Sequence, residues 1–245
     1  MTDPLSTYPP PIPPQPASPL IGEPAAEPRA KAPKPAEAVG ASELAAFLAA
    51  RLCHDFISPA GAIVSGLDLL EDPSAQDMRE DAMSMIAASA RKLVAQIKFN
   101  RVAFGGSQAA EVFDTRELEN LAQGVFADTR ANLEWGSLPP GLDKAPAKSL
   151  LNLVQVGAGA LPTGGLVRVD VAEDDAHTEV VVLASGRARL RSEVLEGLRG
   201  DRLSDGRTGH WVQAYYLNRL IDEAGGVLEI ETGEASVTLR CRFPR

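Results

Sequence analysis

The sequence has few cysteines and no excess of positive charge. Its two cysteines, Cys53 and Cys241, lie far apart and form no CxxC motif, so we expect both to be thiols in a reducing compartment. The formal net charge is −9, whereas a nucleic-acid surface would need a basic stripe. We therefore expect no nucleic-acid partner.

Long apolar runs are also missing. No segment approaches the roughly 20 apolar residues of a membrane-spanning helix, and the N-terminus has no apolar signal core. The bulk composition, 44% apolar and 23% charged, is typical of a globular protein. These features predict a cytoplasmic protein without a membrane anchor.

Proline is concentrated at the N-terminus, where residues 1–40 contain 12 of the 19 prolines. Such a segment cannot bury enough apolar surface to fold, so we predict a disordered Pro-rich tail over 1–40.

A helical hairpin is predicted over 41–106. Ser42 is a suitable N-cap, and a capping box at 74–77 opens a second helix that Gly105 and Gly106 end. Each helix is nearly 30 residues long. Two amphipathic helices alone bury little surface, so we expect a homodimer in which two hairpins form a four-helix bundle.

His54 in the first helix is the candidate nucleophile. A neutral imidazole can attack, and the carboxylate of Asp55 can hold one ring nitrogen and leave the other free. Pro59 lacks an N–H group and disturbs the helix just beyond. The alternative is a surface histidine that happens to precede an aspartate. His177 and His210 are interpreted as structural or surface residues. Cys53 is not expected to act as a nucleophile.

A docking surface for a partner is predicted around His54. Counting equal distances from the turn places His54 opposite about Leu93, on the second helix. The candidate docking residues are Arg51, Ile57, Ser58, Gly61, Lys92 and Gln96. For Lys92 and Gln96, a solvated polar face is an equally weighted alternative.

The remainder, 107–245, has an α+β pattern. A short strand at 112–113 precedes a helix capped by Asp114 and running to about 130. Further helices are predicted at about 145–160, after Ser192 and at 210–223, with strands at 166–171, 179–183, 227–231 and 237–243. We expect a mixed sheet with helices on one face.

The His-acid-x-x-x-Pro box at 54–59 resembles the phospho-acceptor box of sensor histidine kinases. A hairpin followed by an α+β domain is also similar to their catalytic core, whose Bergerat-like α/β sandwich binds ATP through three boxes. Here the Pro-x-Gly-Gly turn at 162–165 is kept. However, Val156 stands where the metal-binding asparagine of the first box is expected. Asn152 matches an earlier asparagine.

The other two boxes are also altered. Ala184 replaces the aspartate that reads adenine, and Ala188 replaces a glycine. Trp211 and Gln213 stand where the backbone must approach phosphates, which suits no bulky side chain. The resemblance therefore implies a degenerate nucleotide site, no cofactor of its own and no autokinase activity.

Residues 41–245 as a whole resemble the dimeric histidine phosphotransferases of alphaproteobacterial phosphorelays. The resemblance implies that His54 accepts phosphate from the receiver domain of a hybrid histidine kinase. It then passes the phosphoryl group to aspartates of response regulators that control the cell cycle, with Mg²⁺ supplied by the receiver. Two alternatives remain: an active ATP-dependent kinase with divergent boxes, and a non-catalytic module that binds receivers.

Overall fold

The computed structural model describes residues 38–105, 111–127 and 129–245. The predicted tail lies outside the described residues, except for its last three positions. Gly106, one of the two glycines expected to end the hairpin, also lies outside them.

Two antiparallel helices form the N-terminal hairpin. Helix α1 spans Ala41–Glu71, and after a 3₁₀ turn at Gln76–Met78, α2 spans Arg79–Ala103. The prediction that Ser42 is the N-cap is wrong, because the N-cap is Gly40, two residues earlier, and the helix begins at Ala41. The Gly40 carbonyl already accepts a hydrogen bond from the Leu44 N–H at 2.9 Å.

The capping box predicted at 74–77 is not formed. Asp72 Oδ1 instead accepts hydrogen bonds from both the backbone N–H and the hydroxyl of Ser74, each at 2.7 Å. This local side-chain turn competes with a cap on Ser74, and α2 starts only after Met78, without a side-chain cap.

Few side chains of the hairpin are buried within a single copy of the chain. In α1 only Pro59 and Gly66 are buried. The end of α2 is different, because Phe99, Val102 and Ala103 belong to the core of the C-terminal domain. The hairpin is thus anchored at its base.

The C-terminal domain is an α+β layer structure, which confirms the predicted fold class. Its helices are α3 (Thr115–Phe126), α4 (Lys144–Gly159), α5 (Ser192–Leu198) and α6 (Thr208–Glu223). Its strands are β1 (Val112–Asp114), β2 (Ala131–Trp135), β3 (Gly141–Asp143), β4 (Gly165–Glu173), β5 (His177–Gly186), β6 (Val227–Thr232) and β7 (Ser236–Pro244).

Five of these strands form one mixed sheet in the order β2-β4-β5-β7-β6. Only the β2–β4 pair is parallel, and β1 pairs with β3 in a separate ribbon. Along β4, Val167, Val169 and Val171 are buried in the core, whereas Arg168 and Asp170 pair with each other on the other face. This alternation is typical of a sheet with helices on one face.

The start of α1 packs against α6. A small apolar cluster centres on Trp211, Val212 and Tyr215, and its partners include Leu44 and Phe47. The Tyr215 hydroxyl also accepts a hydrogen bond from the Val39 N–H at 3.1 Å. This contact brings the N-terminal third of α1 against the C-terminal domain.

Helix α1 is long and apolar enough to cross a membrane by length and composition alone. The prediction that no segment approaches this limit is therefore wrong by that criterion. The same criterion is met by the core helix of a bundle, because it cannot distinguish lipid from an apolar protein partner.

Candidate functional site

His54 projects from α1 into the open. Its side chain is 87% exposed, and its Nδ1 lies 3.6 Å from Oδ1 of Asp55. This distance is longer than a hydrogen bond but within the range of an electrostatic contact. The other ring nitrogen, Nε2, is the one left for a partner molecule.

Arg51, one helical turn before Asp55, points into the protein. Its side chain is 11% exposed, and its Nε lies 3.4 Å from Asp55 Oδ2. Its Nη1 also donates to the backbone carbonyl of Gly209, in the first turn of α6. Burial lowers the pKa of Arg51 and Asp55 opposes this shift, but a guanidinium remains charged in proteins.

A cleft of about 620 Å³ lies between α1 and the start of α6, and His54 stands on its wall. The lining on α1 is formed by Phe47, Ala50, Arg51, His54 and Asp55, and that on the other side by Arg207, Thr208, Gly209 and His210. Arg51, Arg207 and His210 add basic or imidazole groups to this lining, and Asp55 adds a carboxylate. Since Arg51 is paired with Asp55, Arg207 is the positive charge that suits an anionic group here.

His210 is held by an acid at the inner side of this cleft. Its Nδ1 lies 3.4 Å from Oε1 of Glu193, and 3.5 Å from Nη1 of Arg191. Burial, together with the positive charge of Arg191, lowers the pKa of His210, although Glu193 opposes the shift. Burial raises the pKa of Glu193, but its own backbone N–H and His210 lower it overall.

The predicted docking residues separate into two groups. Ile57, Ser58 and Gly61 are exposed on α1. Arg51 is instead directed at Asp55 and α6, so it does not offer its charge at the surface.

Lys92 and Gln96 are half-buried and do not line the cleft beside His54. The level of His54 along α2 was predicted to within about one helical turn. A side chain on Gly66 would meet Ile86 Cγ1 and the Ala82 carbonyl. Twelve residues earlier, His54 is therefore level with 94–98 on α2. Being level with His54 does not place a side chain on the same face of the helix pair.

Two amide side chains, Asn152 and Gln213, are buried in the region that the sequence predicts to be a degenerate nucleotide site. Asn152 is fully buried, and its Nδ2 donates to the carbonyls of Ala103 and Lys148, at 3.2 and 2.9 Å. Gln213 donates to Asn152 Oδ1 and to Gln155 Oε1. Its amide thus extends the hydrogen-bond network between α4 and α6.

A second cleft, of about 380 Å³, adjoins the first and shares Arg51 and His210 with it. Arg189 and Arg191 add positive charge to its lining. Arg189 and Arg191 were not among the predicted site residues. The alternating arginines at 187, 189 and 191 were the available signal, because alternate residues in an extended segment share one side.

Comparison with known proteins agrees with the motifs. A family of histidine phosphotransferase C-terminal domains matches residues 115–236. The chain is 38% identical to protein phosphotransferase ChpT of Brucella abortus (strain 2308) over 194 residues, which are 78% of this chain and 91% of that protein. A bacterial phosphotransferase structure at 1.7 Å has a TM-score of 0.74 and 35% identity, covering 83% of this chain and 97% of that one. The chain therefore belongs to the ChpT family of histidine phosphotransferases, as its motifs predicted.

Proposed function

We propose that this protein carries a phosphoryl group on His54 between the aspartates of receiver domains. The donor is the receiver domain of a hybrid histidine kinase, and the acceptors are response regulators that control the cell cycle. The observation that carries the proposal is the exposed His54 imidazole beside Asp55, on the wall of a basic cleft.

The transfer is an in-line displacement at phosphorus. Nε2 of neutral His54 attacks the aspartyl phosphate, the N–P bond forms, and the P–O bond to the aspartate breaks. The electron pair of the broken bond leaves with the receiver carboxylate. The Nδ1–H proton now belongs to a cationic ring, which Asp55 stabilises, and the reverse steps deliver the phosphoryl group to the next receiver.

Phosphoryl transfer depends mainly on positioning and on neutralising charge. We propose that the receiver supplies Mg²⁺ and that this chain needs no cofactor. Arg207 faces the same cleft as His54 and would bring positive potential near the transferred group. Ile57, Ser58 and Gly61 would form the exposed docking surface on α1.

We also propose that the protein does not phosphorylate itself from ATP. Asn152, which could have replaced the missing metal ligand, is fully buried, and its Oδ1, the atom that a metal would bind, accepts a hydrogen bond from Gln213. Trp211 and Gln213, which take the sequence positions of the phosphate loop of a kinase, are bulky buried side chains, whereas such a loop needs its backbone to approach phosphates closely.

A homodimer is proposed from the surface of the hairpin. Among the described residues, nine large apolar side chains are exposed, and all but Val112 and Val227 lie on the hairpin or its turn. Val64 and Leu67 lie three residues apart on α1 and are both exposed, a spacing that suits a helix–helix seam. A cytoplasmic location fits the exposed free thiol of Cys53.

The test is phosphotransfer between purified proteins. A labelled receiver domain should transfer its phosphoryl group to the wild type and to a His177→Gln control, but not to His54→Gln. A parallel incubation with labelled ATP and Mg²⁺, without a receiver, should leave the protein unlabelled. Labelling of His54→Gln would refute the assignment of the acceptor, and labelling by ATP alone would refute the absence of kinase activity.

A further inference from the structure

We propose that Arg51 is a positioning residue that orients the His54 imidazole through Asp55. The inference rests on the proposed function of His54, but it concerns a residue that does not itself reach the transferred group. Arg51 was expected at the docking surface, and its buried position suggests a different role.

The Arg51 side chain is largely buried although it lies on a long helix. An arginine on the surface of a helix normally extends its charge into water, whereas this side chain is only 11% exposed. Burying a charge is unfavourable unless it is paired and hydrogen-bonded. Arg51 has two partners, Asp55 Oδ2 and the Gly209 carbonyl.

The Asp55 carboxylate lies between Arg51 and His54. Its Oδ2 is 3.4 Å from Arg51 Nε, and its Oδ1 is 3.6 Å from His54 Nδ1. Because a carboxylate is planar, fixing one oxygen restricts the position of the other. Arg51 therefore directs Oδ1 towards Nδ1, which favours the ring tautomer with the proton on Nδ1.

Arg51 also contacts α6, where it donates to the Gly209 carbonyl. Gly209 lies between Thr208 and His210, and all three line the cleft beside His54. The guanidinium is thus connected both to the acid that holds the imidazole and to the opposite wall. Its planar fork can serve two acceptors, whereas a lysine ammonium acts as a point donor.

A double-mutant cycle separates positioning from general structural support. Arg51→Met keeps an apolar stem and removes the fork, and Asp55→Asn removes the acceptor charge. We expect Arg51→Met to lower the maximal transfer rate by about tenfold to a hundredfold, with little change in the receiver concentration at half-maximal rate. In an Asp55→Asn background, Arg51→Met should slow transfer by less than about twofold.

The tautomer of His54 gives a second readout that needs no transfer. Nitrogen NMR of the ring should show the proton mainly on Nδ1 in the wild type and a mixture of tautomers in Arg51→Met. Arg219→Met provides the matched control, because this arginine pairs with Asp222 and Glu223 at the end of α6 and does not line the cleft beside His54. It should keep the wild-type ring signals. Arg51→Lys should restore part of the rate.

The outcomes distinguish the two proposals. If the wild type is never labelled, the proposed function fails, while the ring spectra still report on Arg51. If Arg51→Met transfers at the wild-type rate with unchanged ring signals, the positioning role is overturned and the function stands. Rate losses that multiply in the double variant would also overturn it. Where Arg51→Met does not fold, the same comparison is made with Arg51→Gln, which also lacks the charged fork.

Discussion

Phe47 of α1 packs edge to face against Trp211 of α6, with the ring centroids 5.7 Å apart. Trp211 is almost completely buried and stacks in turn on Tyr215 at 4.9 Å. Trp211 thus helps to hold the hairpin against the C-terminal domain. The same contact fixes the cleft in which His54 lies.

Removing the Phe47 ring should weaken this junction. Phe47→Ala is expected to reduce the free energy of unfolding by about 1 to 3 kcal/mol, since it loses apolar burial and an aromatic pair. Urea unfolding followed by tryptophan fluorescence measures the change. Phe47→Leu, which keeps most of the volume, should lose less. Equal stability of Phe47→Ala and the wild type would show that the contact does not hold α1.

Gly197 in α5 should not tolerate a side chain. A Cβ atom there would lie 2.6 Å from the Trp211 carbonyl and 2.7 Å from Ala214 Cβ, so α5 and α6 would have to separate. Gly197→Ala is expected to destabilise the protein by about 1 to 3 kcal/mol through overpacking. The matched control is Gly159→Ala in α4, where a Cβ meets nothing within 4 Å. Its unfolding midpoint should equal or exceed that of the wild type, because alanine favours a helix.

Much of the fold could be predicted because its signals are local. The apolar spacing of the two long helices and the alternation along β4 and β7 give each element its type. Strands β2 and β3 were missed. They are five and three residues long, and each is defined by a partner distant in sequence. The capping box at 74–77 was wrong because the Ser74 hydroxyl donates to Asp72 Oδ1, whereas the predicted cap at Asp114 is confirmed, since its Oδ1 accepts a hydrogen bond from the Arg116 N–H.

The site was predictable only where neighbours in sequence are neighbours in space. His54 and Asp55 are adjacent, and their contact follows from adjacency. Arg51 and Gly209 are 158 residues apart, so no local pattern could show that the arginine turns inward. For Lys92 and Gln96, counting along the hairpin gave the level but not the rotation of α2.

The exposed apolar side chains of the hairpin, among them Val64 and Leu67, should be covered by a second copy of the chain. Val64 is 57% exposed on α1, and Val227, in the edge strand β6, is 60% exposed. Val64→Lys would bury an unpaired charge in the seam, which is unfavourable. We expect its dimer dissociation constant to rise by at least about tenfold, measured by analytical ultracentrifugation. Val227→Lys should leave the constant unchanged. A monomeric wild type at micromolar concentration would contradict the proposed bundle.

His210 should make stability depend on pH. Burial and Arg191 lower its pKa from the ordinary value of 6.5 in the folded state. Below pH 6.5 the unfolded chain therefore binds more protons than the folded one, and the free energy of unfolding falls as the pH is lowered towards the folded-state pKa. His210→Asn removes the titrating group, so its unfolding free energy should fall less than that of the wild type between about pH 7 and about pH 5.5. His177→Asn, a substitution on the exposed end of β5, should keep the His210 contribution. Parallel curves for the wild type and His210→Asn, from urea midpoints at each pH, would mean that the imidazole titrates alike in both states and that the Arg191 and Glu193 contacts leave its protonation unchanged.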